Sequence, residues 1–134
     1  MRWFKRALLA VAAMVLFAIA GIFALNVREE MQIVRFYNAH PMLREMNKLP
    51  TTTDPRMTEI LLARIPIGST RLSALQTLSA EGLACEANVF LQRKQLTCRI
   101  ENREPEHLIP RWYVGIQLDE EDKVLGGGIR VSLN

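Results

Sequence analysis

The side chains that could do chemistry in this chain are few, and their spacing suits structure better than catalysis. Cys85 and Cys98 are its two cysteines. An even pair outside the reducing cytoplasm most often forms a disulfide. The two lie almost symmetrically about a polar turn at Gln92-Arg93-Lys94, so a hairpin there would bring them together. A bond closing a loop of that size stabilises a fold by roughly 3 kcal/mol in the chain-entropy picture. Zinc is a poor fit, since two Cys with no nearby His or third Cys cannot complete a tetrahedral set. His40 precedes Pro41 and His107 follows the Pro105 loop. Neither has a partner at metal-binding or catalytic spacing, so both read as loop residues.

Asp119-Glu120-Glu121-Asp122 is the dense carboxylate run. Calcium loops alternate their oxygen ligands and place Gly at the bend. This run does neither and reads as a solvated strand-to-strand turn. No Gly-x-Ser-x-Gly elbow occurs, and Gly126-Gly127-Gly128 lacks the Lys-Ser/Thr of a phosphate loop. The glycines instead suggest a bulge or a close backbone approach. The expectation is a non-enzyme with no cofactor, no metal and no small-molecule substrate. What remains is binding chemistry. Trp112 and Tyr113 must face opposite sides of a strand, and an exposed ring beside Arg111 has the Tyr/Arg character of protein contacts. Arg111, Tyr113, Asp119, Glu120, Glu121 and Asp122 form the candidate protein-binding surface.

The elements that must carry these residues begin with an address. Arg2, Lys5 and Arg6 precede an uncharged aliphatic run from Ala7 to Leu25. As a helix it extends roughly 28 Å at about 1.5 Å per residue, enough for a hydrocarbon core of about 30 Å. The following flank, Asn26 to Glu30, is net acidic. Lys/Arg asymmetry of this kind holds the N-terminus in the cytoplasm and sends the rest across. A cleaved signal peptide cut after Ala18-Ile19-Ala20 is the competing reading. It is disfavoured because the apolar run continues through Gly21 to Leu25. The run carries no polar stripe, which argues against a soluble core helix. The formal net charge of +3 equals the charge of Arg2, Lys5 and Arg6, so everything beyond them is formally neutral. No basic field remains to bind nucleic acid.

Beyond the anchor, helical periodicity continues from Val27 to about Ala39. Val27, Met31 and Val34 share one stripe, and Ile33 and Tyr37 an adjoining one. Pro41 to Asn47 suits a short helix with Pro at its first position, and Leu49 to Thr53 reads as linker. Asp54-Pro55 opens a helix through about Arg64. Ser69 or Thr70 caps another from about Arg71 to Glu81, with Leu72, Ala74, Leu75 and Leu78 as its buried stripe and Gly82 as its stop. The period then changes to two. Strands are predicted at Ala84–Leu91, Gln95–Glu101 and Trp112–Leu118, with a return strand over Lys123–Leu133. The predicted class is α+β: an N-terminal transmembrane helix, then two or three helices packed on a three- to four-stranded antiparallel sheet. The predicted division is 1–26 basic tip and signal-anchor, 27–53 helical stalk and linker, and 54–134 a small α+β domain.

Ile67-Gly68-Ser69-Thr70, Ala74-Leu75, Leu78, Gly82-Leu83 and Trp112-x-Val114-x-Ile116-x-Leu118-Asp119 carry a resemblance. Over about Pro55 to Leu133 the chain resembles the small envelope domains related to the outer-membrane assembly lipoprotein BamE (SmpA/OmlA). Those domains run in similar order, two helices after a Gly-Ser/Thr turn and then an antiparallel sheet. This chain departs from them in having no lipidation Cys. The resemblance implies a periplasmic, non-enzymatic interaction module. The expected protein is therefore a single-pass inner-membrane protein, N-terminus cytoplasmic, whose periplasmic domain binds an unknown envelope protein in assembly or maintenance. A membrane-anchored immunity or inhibitor protein, using the acidic run with Tyr113, is the alternative.

Overall fold

The computed structural model describes residues 1–133. The elements are α1 (Arg2–Ala39), α2 (Pro41–Asn47), α3 (Arg56–Arg64), α4 (Arg71–Ala80), β1 (Leu83–Phe90), β2 (Arg93–Ile100), β3 (Arg111–Leu118) and β4 (Val124–Ser132). The fold is α+β, with four helices and a four-stranded antiparallel meander in the order β1-β2-β3-β4. α1 includes the apolar run and is long and apolar enough to cross a membrane.

Each boundary has a local cause. α1 stops where Pro41 forbids a helical residue before it. There His40 Nδ1 donates to the Phe36 carbonyl at 2.6 Å, and its ring stacks on Phe36 with centroids 4.2 Å apart. His40 is thus a helix cap. Asp54 Oδ1 accepts from the Arg56 backbone N–H at 2.9 Å to open α3. Of the two predicted caps for α4 it is Thr70 that acts, its hydroxyl accepting from Ser73 N–H at 3.2 Å. Gly82 ends that helix at φ +75°, where an L-residue would be strained.

The helices cover one face of the sheet. Met42, Leu43 and Met46 of α2, Leu61 of α3 and Leu78 of α4 are fully buried with Leu96, Val114 and Ile116 beneath them. Phe36 and Tyr37, from the last turns of α1, belong to the same core. The predicted division at residue 53 therefore separates segments that share one interior. Glu81, itself buried, ties the helical layer together. Its carboxylate accepts from Met42 N–H at 3.2 and 3.1 Å and pairs with Arg64 at 3.2 Å. Arg64 also reaches Glu45 at 3.4 Å. One carboxylate so caps the start of α2 and joins it to α3 and α4.

Some expectations shift. Leu72 faces solvent; Ala74 and Leu78 are buried and Leu75 is half-buried. In α1 the stripe that packs on the domain is Ile33, Phe36 and Tyr37, while Val27, Met31 and Val34 are exposed. The β1–β2 turn is Leu91-Gln92 rather than Gln92–Lys94, with both residues at positive φ (48° and 63°). Two-residue hairpin loops of this handedness match strand twist, which draws Arg93 and Lys94 into β2. Cys85 stands directly opposite Cys98, with the two sulfurs 2.04 Å apart.

Candidate protein-binding face

Strand alternation sorts β3 into two sets. Trp112, Val114, Ile116 and Leu118 are buried under the helices, whereas Arg111 and Gln117 are exposed and Tyr113 and Gly115 half-buried on the other face. Among the described residues, no helix covers that outer face. The register places Arg99 and Arg130 on either side of Tyr113, Thr97 and Gly128 beside Gly115, and Gln95 and Gly126 beside Gln117. Cross-strand neighbours on one face are the units that interact in a sheet. Here they make an Arg-Tyr-Arg row, a row with two glycines and a row of amides.

These rows form a trough along β3, made of three concavities that share lining residues. At one end lies a hollow of about 400 Å³ bounded by Arg99, Glu101, Arg111 and Tyr113. The middle, about 630 Å³, is floored by Gly115 and Gly128 and walled by Tyr113, Arg130, Thr97 and Gln117. The far end, about 390 Å³, is lined by Phe90, Leu91, Arg93, Gln95 and Gln117. The glycines make the floor because a side chain at either position would project into the trough. The Arg130 guanidinium lies 5.0 Å from the Tyr113 ring centroid, a cation–π contact that holds the ring in place. Arg103 organises the adjoining loop by donating to the Glu106 and Ile109 carbonyls at 2.8 and 2.7 Å.

Arginines line both ends of the trough, three of them near Glu101 at one end and Arg93 beside Phe90 and Leu91 at the other. Arg99, Arg111 and Arg130 gather at one end, and none enters an ion pair among the described residues. At the other end the hairpin presents Phe90 and Leu91 to solvent at 62 and 79 % exposure. Leu91 also occupies a left-handed backbone position that a leucine fills only at a cost.

The candidate surface read from the sequence is only partly gathered. Arg111 and Tyr113 sit together at the basic end of the trough. Asp119, Glu120, Glu121 and Asp122 lie beyond the opposite end of β3, roughly 20 Å from Tyr113 at about 3.3 Å per residue. The acidic run is also tied into its own turn. Asp119 Oδ1 accepts from the Glu121 and Lys123 N–H groups at 2.9 Å, and Asp122 pairs with Lys94 at 3.4 Å. The Asp122 carbonyl accepts from Arg71 N–H at 2.9 Å, docking the start of α4 onto the turn. Arg99, Arg130, Phe90 and the two floor glycines escaped the sequence reading. Strand pairing is what places them beside Tyr113, and the two-residue turn that sets the register lacks the usual Asn-Gly signal.

Below the trough, Trp112 packs against the end of α1. Burial pushes the Tyr37 phenol above its ordinary 10.0, with the Trp112 side chain opposing that rise. The buried Trp112 Nε1 nevertheless makes no hydrogen bond of ordinary geometry. Comparison with family models, with curated proteins and with solved structures finds no match.

Proposed function

We propose that this is a single-pass inner-membrane protein, anchored by the Ala7–Leu25 part of α1, that displays a non-enzymatic protein-interaction domain in the periplasm. Its contact is the outer sheet face, and its partner offers an extended segment with an apolar end and an acidic end. The observation that carries this reading is the trough itself. It lies on an uncovered face, is lined by Tyr113 and three arginines at one end, and is bordered by exposed Phe90 and Leu91 at the other. Aromatic and Arg side chains around a groove are the residue types that dominate protein contacts. β3 is paired on both sides, so the partner binds across the face rather than by adding a strand there.

The anchor is supported by the basic residues before the apolar run and the acidic flank after it, an asymmetry that retains the N-terminus in the cytoplasm. The paired cysteines suit an oxidising compartment. The resemblance to BamE-like domains agrees in kind, pointing to a role in envelope assembly or maintenance. A photo-crosslinking side chain at Gln95 or Gln117 of the full-length protein in cells tests the contact. A discrete adduct is expected from these positions and not from Ser79 on α4, and it should disappear in a Tyr113→Ala, Arg130→Glu background. Equal adducts from both sides, or an adduct indifferent to Tyr113 and Arg130, would overturn the trough as the contact.

A further inference from the structure

The stalk of α1 carries an apolar stripe that the domain leaves bare. Val27, Met31 and Val34, at i, i+4 and i+7, are 38, 51 and 56 % exposed, although they lie beyond the apolar run. At about 100° per residue they occupy one side of the helix, centred about 140° from the Ile33, Phe36 and Tyr37 face that the domain covers. The domain also reaches Gln32 and Arg35 through Asn102, Glu104 and Pro105, which line one hollow with them, so the side left open to a second helix is that of the stripe itself. The stripe runs on into the apolar segment as Ala20 and Ala24, small residues that let helices approach closely in lipid. At its other end Asn38 is taken by Arg44, whose Nη1 donates to it at 3.4 Å, so the seam stops where the domain begins.

We infer that α1 pairs with the α1 of a second copy of this chain, in parallel, along the Ala20-Ala24-Val27-Met31-Val34 seam. The inference rests on the anchor proposed above, because two copies anchored in the same sense can only align parallel. Charge selects the partner. Treating the stripe as the alternating a and d positions of a heptad, Glu30 falls at g and Arg35 at the following e. These are the positions that pair between parallel helices. Neither makes an ion pair within the chain among the described residues. A two-fold dimer forms the Glu30–Arg35 pair twice.

The test uses full-length protein in liposomes, with single cysteines introduced in turn. Cys85 and Cys98 are already bonded to each other, so the introduced thiol is the free one. Under mild oxidation Val27→Cys, Met31→Cys and Val34→Cys should give covalent dimers, and Glu29→Cys and Gln32→Cys should not. In the Val34→Cys background, Glu30→Arg should weaken dimerisation about fivefold or more, since it replaces two attractions with two repulsions. Adding Arg35→Glu should restore it. No dimer at the seam, equal yields on all faces, or no restoration by the double swap would each overturn the proposal. Alkaline carbonate extraction of the same liposomes reads the anchor separately: a chain that stays in the pellet without crosslinking refutes the seam alone.

Discussion

At the scale of single residues, the tightest constraints are on glycines and one buried carboxylate. A Cβ on Gly127 would lie 2.9 Å from both the Gly115 carbonyl and Leu61 Cδ2, and a sheet backbone cannot yield as a flexible side chain can. Gly127→Ala should therefore cost about 1–3 kcal/mol by overpacking, whereas Gly115→Ala and Gly128→Ala, with open space above them, should leave the melting temperature nearly unchanged and weaken partner capture by filling the trough. Denaturant unfolding and the crosslinking assay separate the two effects. Glu81→Ala should be more damaging than either, by about 2–4 kcal/mol, because it leaves the Met42 N–H buried without a partner and half-buried Arg64 with only its longer contact to Glu45. Tyr37 adds a pH dependence. Its native pKa lies above the value of the unfolded chain, so the unfolded state releases its proton first. The stability this residue contributes is whole below about pH 10 and is lost as pH rises through the native value. Tyr37→Phe should flatten that alkaline decline in a urea-midpoint series.

Among the elements, the β1–β2 hairpin shows best what could be read in advance and what could not. Alternation and the helix stops were legible because each is a local rule: Thr70 caps, Pro41 breaks, Gly82 turns, and Trp112 to Leu118 face alternately in and out. The pairing of Cys85 with Cys98 was legible too, since symmetry about any short turn near Gln92 brings them together. The turn's own identity was not. Leu91-Gln92 has neither glycine nor asparagine, and the energy that holds it in left-handed geometry comes from strands and a disulfide on either side of it. Misplacing the turn hides the row that sets Arg99 and Arg130 against Tyr113, and with it most of the trough. Leu72 misled for a related reason: helical spacing gives a face, but only the packed sheet decides how wide that face is. Two measurements follow at this scale. Replacing Leu91-Gln92 by Asn-Gly should stabilise the fold by about 1 kcal/mol by relieving the left-handed leucine, and should weaken partner binding if the apolar tip is part of the contact. Replacing both cysteines by Ala should lower stability by about 2–4 kcal/mol, read as a shift in urea midpoint against the oxidised protein.

At the scale of the whole molecule, α1 joins a part long and apolar enough to cross a membrane to a part that packs in the core, and its two ends have different reasons to exist. The Ala7–Leu25 part contributes nothing to the core, while Phe36 and Tyr37 at the other end are buried in it. The periodicity of the sequence hinted at this through Ile33 and Tyr37, but a stalk and a core helix share the same repeat until a tertiary partner is known. The consequence is a sharp dependence on where the chain is cut. A chain reduced to residues 27–134 keeps every core residue and should fold in water, with a cooperative melt close to that of the intact protein. Reduction to 54–134 removes Phe36, Tyr37, Met42, Leu43 and Met46, and takes the Met42 N–H from Glu81 and Glu45 from Arg64, which keep only each other. Truncating a single buried aromatic costs about 3–5 kcal/mol, against a net stability of about 5–15 kcal/mol for an ordinary small domain. The shorter chain should therefore show no cooperative transition and should expose its thiols to labelling after mild reduction. A folded 54–134 fragment would mean that the helical layer over the sheet is completed by α3 and α4 alone. In that case the end of α1 would be an attachment laid on a finished domain, and any coupling between the apolar segment and the outer sheet face would have to be sought in the linker instead.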